Sequence, residues 1–285
     1  MPTNNKLSIK KSILNFKHNL KSTFYNQLDY LEFHLTDHCN LSCKGCGHYS
    51  NIAPKTFTDL AQYKNDIFRL SKIFHNIHKI RILGGEPLLH PEVASFIKAT
   101  RKAFPYTDIR LVTNGILLSK VSDDFWDICH STGTIIDLTV YPPFYNQVDY
   151  WKGLCEAKGV YLSPSLPTDH FYSHLNTLGN SNKEKAFNIC RNIVHCYFLQ
   201  NGNIYPCPMP ALVHYFNDQF NYQIIADKGI NIYSSDISAK KIIKYLNTPM
   251  DTCKWCSYEF IPFSWGVSKK VIQEWDVDFY KNNPE

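Results

Sequence analysis

The run His38-Cys39-Asn40-Leu41-Ser42-Cys43-Lys44-Gly45-Cys46 sets three cysteines at the spacing Cys-x3-Cys-x2-Cys. It follows directly on Leu31–Thr36, a short apolar-rich stretch that reads as a strand. Three thiolates on one tight loop can hold three irons of a four-iron, four-sulfur cluster and leave the fourth iron without a protein ligand. An open metal position is where chemistry takes place, by the same logic that separates a catalytic zinc from a structural one. The competing reading is a structural zinc or a disulfide loop. Zinc needs a fourth ligand, which His38 or His48 would supply.

A second apolar strand, Ile80–Leu83, runs into Gly84-Gly85-Glu86-Pro87. Taken alone, this is a strand-to-helix turn. The Cys-x3-Cys-x2-Cys loop followed by a Gly-Gly-Glu-Pro turn resembles the radical S-adenosylmethionine (radical SAM) superfamily, over a core from residue 31 to about 165. The resemblance implies that Cys39, Cys43 and Cys46 hold a 4Fe-4S cluster whose open iron is chelated by SAM. It also implies that Gly84, Gly85, Glu86 and Pro87 contact the methionyl amine. The residue types suit that role: glycines let a backbone approach a ligand closely, and a carboxylate is a charge-assisted acceptor for an ammonium group. Thr113-Asn114-Gly115 resembles a family position that meets the SAM ribose, against the plainer reading of a strand-ending turn. One departure is visible. Many members carry an aromatic residue just before the third cysteine, where this chain has Gly45, so covering the cluster falls to His48 or Tyr49.

The 285 residues are 44% hydrophobic, enough for one buried core of barrel size with a small appendix. The net charge of +5 is spread along the chain without a dense basic run, which argues against a nucleic-acid partner. No apolar stretch is long enough to span a bilayer, and no signal-peptide pattern opens the chain. Ten cysteines without a secretion signal fit a cytoplasmic protein that uses them for metal or redox work.

Apolar residues from Ile9 to Leu28 recur at spacings of three and four, which predicts an amphipathic helix over 6–28. A first domain, residues 1–30, would then pack on a barrel that begins at residue 31. Strands are expected near 31–36, 79–84, 108–113, 134–141 and 160–163, with helices near 58–77, 91–103, 119–130 and 148–158. This alternation specifies an α/β fold with a parallel sheet and helices outside. Sites in such folds form at the carboxyl ends of strands. The cysteine loop, Gly84–Pro87, Thr113–Gly115 and Tyr141-Pro142-Pro143 all stand there. The expected architecture is the partial (β/α)6 TIM-type barrel of the radical SAM family over 31–185, with a sixth strand unplaced within 166–190.

After about residue 185 the alternation stops and cysteines return. Asn201-Gly202 is a hairpin signal, with Tyr197–Gln200 and Asn203–Tyr205 as its strands. Cys190, Gly202 and Cys207, followed by Cys253-Lys254-Trp255-Cys256, resemble the truncated "twitch" form of the SPASM appendices of radical SAM enzymes. The resemblance implies a small cysteine-rich β-hairpin domain over 186–285. It would hold a second, auxiliary 4Fe-4S cluster on Cys190, Cys207, Cys253 and Cys256, with Cys196 competing for the place of Cys190. A zinc knuckle on the same four ligands is the alternative. Cys129 and Cys155 fall in predicted outer helices and read as buried structural thiols.

The family chemistry implied is SAM cleavage to a 5′-deoxyadenosyl radical that abstracts hydrogen from an unactivated carbon. An electron donor such as flavodoxin or ferredoxin would serve it. The expected substrate is a small polar molecule (a sugar, nucleotide-sugar or aminocyclitol), oxidised with the auxiliary cluster as electron acceptor. Alternatives are epimerisation with Cys196 as hydrogen donor, dehydration, maturation of a peptide, or a non-catalytic metal-binding protein. Arg81, Arg110, His170 and Arg191 are polar candidates for the substrate site, for which surface or core roles are the plainer reading.

Overall fold

The computed structural model describes residues 26–193 and 196–284. Five strands, β1 (Gln27–His34), β2 (Asn76–Leu83), β3 (Asp108–Thr113), β4 (Ile135–Leu138) and β5 (Leu162–Pro164), pair in parallel. The helices α1 (Leu60–Ile73), α2 (Val93–Ala103), α3 (Asp123–Thr132) and α4 (Val148–Ala157) alternate with them. Each helix turns a stripe inward at helical spacing, such as Tyr63, Ile67 and Leu70 in α1 or Phe96, Ile97 and Thr100 in α2. Those stripes meet Leu31, Phe33, Ile80, Ile82, Ile109, Leu111, Ile136 and Leu138 in one core. Caps mark the boundaries: Asp59 accepts from Gln62 N before α1, and Gly133 closes α3 at φ 61°.

The helix expected over 6–28 lies outside the described residues except for its end, and there the structure differs. Gln27 and Leu28 already belong to β1, drawn into register with Asn76 and Ile77 of β2. Pairing with a neighbouring strand overrides a short local helical period.

The sixth strand is also not where the pattern looked for it. Within 166–190 the strand β6 (His170–Leu175) leaves the parallel sheet and pairs antiparallel with β10 (Cys256–Ser264). The helix α5 (Lys183–Ile193) follows it, carrying Cys190. The parallel neighbour on the free edge of β1 is β7 (Phe198–Gln200). It turns through Asn201 (φ 47°) and Gly202 (φ 72°) into β8 (Asn203–Tyr205), and β9 (Ile230–Asn231) adds after that. Positive φ at both central residues is what a two-residue hairpin of right-handed twist needs. Asp66 of α1, itself buried, accepts from Gly202 N and from Tyr233 OH and so ties the hairpin to the β/α layer. The sheet order is therefore β5-β4-β3-β2-β1-β7-β8-β9, continuous across residue 185.

Candidate active site

Strand alternation points Tyr30 and Glu32 of β1, Arg81 and Leu83 of β2, and Val112 of β3 away from the helices. They line a cavity of about 560 Å³ over the carboxyl ends of the strands, within the usual range for a ligand site. The loop after β1 brings Cys39, Cys43 and Cys46 to this cavity. The turn after β2 brings Gly84 and Gly85, the end of β3 brings Thr113 and Asn114, and the stretch after β4 brings Thr139 and Tyr141. From the far side α5 contributes Cys190, the chain before β7 contributes Cys196, and Cys207 and Cys256 complete the wall. Both cysteine groups thus face one space. Cys253 stands in the turn before Cys256 and packs with Phe187 of α5 and against Cys207 and Cys256.

The segment after β10 closes over the cysteine loop. Val267 bridges Cys43, Lys44 N donates to Gly266 O at 2.8 Å, and Ser268 N donates to Ser42 O at 2.9 Å. The Trp265 indole N–H reaches Cys43 Sγ at 3.2 Å, and the Trp275 indole N–H reaches the Cys46 carbonyl at 2.8 Å. Gly45 explains itself here. At φ 60° a Cβ would stand 2.6 Å from the Phe263 ring and 2.4 Å from the Glu274 carbonyl. The Phe263 ring fills the space that a side chain at position 45 would need; it stacks on Tyr280 and lies under the Lys44 ammonium. The contacts that reach residues 42–46 leave no trace in local sequence, because each joins residues more than 200 apart.

Burial pushes the Cys43 thiol up to about 12 and raises Cys39 further still. Such thiols need a bound cation to become thiolates, and metal binding supplies that charge. Among the described residues no three Cys, His, Asp or Glu side chains converge on one point as a single ion requires. A four-iron cluster places each thiolate on a different iron and spaces its ligands more widely. His38, one candidate fourth ligand for zinc, hydrogen-bonds Thr36 and packs edge-on against Phe57. His48 lines the cavity and shares a hydrogen bond with His34; Asp37 holds His34 in turn and accepts from Tyr215 OH.

Glu86 is held by the fold itself. Fully buried, it does not line the cavity. Its Oε1 accepts from Leu88 N at 3.0 Å and Thr113 Oγ1 at 2.7 Å, and its Oε2 accepts from Asn114 N at 2.9 Å. It is a bracket between two strand ends, with Pro87 buried in the short helix that follows. Gly84 and Gly85 do line the cavity, but their backs press on the cysteine loop. A Cβ on Gly85 would stand 2.0 Å from the His38 carbonyl. Asn114 Nδ2 donates to Asn40 Oδ1 inside the cysteine run at 2.8 Å.

Of the polar candidates, Arg81 lines the cavity and pairs with Asp137, the one placement that departs from a plain surface or core role. Arg110 pairs with Asp108, His170 with Asp169 at the surface, and Arg191 lies over the Tyr197 ring. Cys129 and Cys155 are wholly buried in α3 and α4. Among the described residues no helix is long and apolar enough to cross a membrane.

Residues 33–141 match the model of the Radical SAM superfamily, and this part of the chain is a radical SAM domain. The GTP 3′,8-cyclase of Petrotoga mobilis is 38% identical over 95 residues, 33% of this chain and 29% of that protein. Molybdenum cofactor biosynthesis protein 1 of Dictyostelium discoideum is 38% identical over 113 residues, 38% of this chain and 17% of that protein. The chain thus spans about a third or less of the length of these curated relatives. Among solved structures, BtrN in complex with AdoMet and 2-DOIA is 18% identical, with a TM-score of 0.47 over 80% of this chain and 92% of that one. The family implies a 4Fe-4S cluster and SAM, and three cysteines on a loop that opens on a roomy cavity beside Gly84, Gly85, Thr113 and Asn114 fit such a pair.

Proposed function

We propose that this protein is a radical SAM enzyme acting on a small polar substrate of the sugar, nucleotide-sugar or aminocyclitol class, most simply by oxidation. The observation that carries the reading is the shared cavity: Cys39, Cys43 and Cys46 on one wall, and Cys190, Cys196, Cys207 and Cys256 on another. Cys39, Cys43 and Cys46 would hold a 4Fe-4S cluster, which with SAM would supply the radical chemistry for hydrogen abstraction. The chain's own residues then have defined tasks. Cys39, Cys43 and Cys46 hold three irons, the Trp265 N–H shares the charge of Cys43, and Asn114 steadies the loop through Asn40. Tyr141, Phe171 and Phe260 wall the cavity and keep water from a radical. Cys190, Cys207, Cys253 and Cys256 are the proposed ligands of an auxiliary cluster. Oxidation would take a hydrogen atom from carbon and release the adjoining hydroxyl proton to solvent, and an auxiliary cluster on these four cysteines would take up the remaining electron. A soluble one-electron donor such as flavodoxin or ferredoxin completes the scheme.

The matches to GTP 3′,8-cyclases cover 95 to 113 residues, so they speak for SAM cleavage rather than for a substrate. A second reading has one specific observation in its favour. Cys196 faces the cavity and is free to act as a hydrogen donor if Cys190 ligates the cluster, which would make the reaction an epimerisation.

The test is anaerobic reconstitution with iron and sulfide, followed by dithionite and SAM. Wild-type protein is expected to yield 5′-deoxyadenosine and the Cys43→Ala variant none. Equal yields from both would sink the central assignment.

A further inference from the structure

The floor of the cavity is polar where a barrel interior is ordinarily filled with branched apolar side chains. Glu32 and Arg81 are direct partners in the register of β1 and β2, and both line the cavity. Part of their polar capacity is used within the fold. Tyr30 OH donates to Glu32 Oε2 at 2.6 Å, and Arg81 Nη2 donates to Asp137 Oδ2 at 3.0 Å. Two atoms remain. Glu32 Oε1 and Arg81 Nε are buried and have no hydrogen-bond partner among the described residues. Glu32 is only 3% exposed. Native structures rarely leave such atoms unsatisfied, and a leucine at position 32 would fill the same space without the desolvation penalty. The fold alone gives these two atoms no use.

They are one acceptor and one donor, on register partners of adjacent strands. An anion such as phosphate would meet the carboxylates of Glu32 and Asp137. An ammonium group offers nothing for Arg81 Nε to donate to. A hydroxyl group serves both, since it donates and accepts at once.

We infer that Glu32 Oε1 and Arg81 Nε form a substrate-binding pair for a hydroxyl, or two neighbouring hydroxyls, of a neutral polyol. The hydroxyl donates to Glu32 and accepts from Arg81. This deepens the proposed function and rests on it, because the polyol so held lies in the cavity between the two cysteine groups. Cys196 lines the same cavity, next in the chain to Tyr197, whose carbonyl accepts from Glu32 N at 2.8 Å, and it lies outside both proposed ligand sets.

The experiment uses the full chain as wild type, Glu32→Gln and Arg81→Met, with myo-inositol and glucose as probes and inorganic phosphate and spermidine as charged controls. Binding is read by saturation-transfer-difference NMR titration, and folding by circular dichroism. Wild-type protein is expected to bind both polyols in preference to the charged controls. Each folded variant is expected to bind them roughly tenfold more weakly. Using two variants keeps a reading available if one fails to fold. Absence of polyol binding to wild type, equal binding by a folded variant, or a preference for phosphate or spermidine overturns the inference. The same wild-type preparation is assayed for 5′-deoxyadenosine after dithionite and SAM. Failure there counts against radical chemistry alone, and the polyol titration is read independently of it.

Discussion

Glu86 Oε2 accepts a 2.9 Å hydrogen bond from the backbone N–H of Asn114, a residue 28 positions further along the chain. With the Thr113 and Leu88 donors on Oε1, this one carboxyl locks together the loops that leave β2 and β3. Both loops border the cavity. The turn Gly84–Pro87 is therefore braced from within the fold.

Glu86 predicts a pH dependence of stability. Burial pushes its carboxyl up to about 7 from 4.5, against the pull of its three hydrogen bonds. A carboxyl with a higher pKa in the folded state binds more protons when folded. Its stabilisation is fully present below about 4.5 and is lost as the pH rises through about 7, at most about 3 kcal/mol. Urea midpoints of the metal-free protein, wild type minus Glu86→Gln, are expected to fall across that window and flatten above it. A flat difference throughout would remove Glu86 as the cause. Glu86→Ala, which strands three donors, is expected to cost about 2–4 kcal/mol.

Gly85 and Gly47 make a paired test of what the glycines are for. A Cβ on Gly85 would stand 2.0 Å from the His38 carbonyl and 2.7 Å from Cys39 N, whereas one on Gly47 meets nothing within 4 Å. Gly85→Ala is expected to lose about 3 kcal/mol and to reduce iron uptake by pushing the cysteine loop aside. Gly47→Ala should stay within about 0.5 kcal/mol of wild type. Similar melting curves for the two variants would contradict the close packing.

Trp265 tunes the sulfur it touches. Its indole N–H, 3.2 Å from Cys43 Sγ, withdraws charge from a thiolate and favours the reduced cluster. Trp265→Phe is expected to move the reduction potential of the reconstituted first cluster negative by on the order of tens of millivolts. An EPR-monitored redox titration measures it, and an unchanged potential would mean the contact is only packing.

The auxiliary site is tested by composition. Cys253→Ala/Cys256→Ala is expected to lower iron from about eight to about four per chain while some reductive SAM cleavage survives. Zinc at that site in protein purified without oxygen would replace the cluster with a structural knuckle.

The five strands and four helices of the β/α layer were legible because each repeats its own period within a few residues. Leu31, Phe33 and Leu35 alternate, Tyr63, Ile67 and Leu70 recur at helical spacing, and Asn201-Gly202 carries its turn in two residues. The Cys39–Cys46 loop was legible as a motif for the same reason, since its three cysteines sit within eight residues of one another. Tertiary structure alone decided the rest. That β7 lies beside β1, that Phe263 takes the place left by Gly45, and that Trp265 and Trp275 seal the cysteine loop are contacts between segments far apart in the chain. The motif around Glu86 says nothing of the Thr113 and Asn114 donors that hold its carboxyl. Glu32 and Arg81 read as ordinary strand residues because the sequence does not say which face of a sheet encloses a cavity. Local periodicity is written in neighbouring residues, whereas the partner of a buried charge is chosen only when the chain folds back on itself.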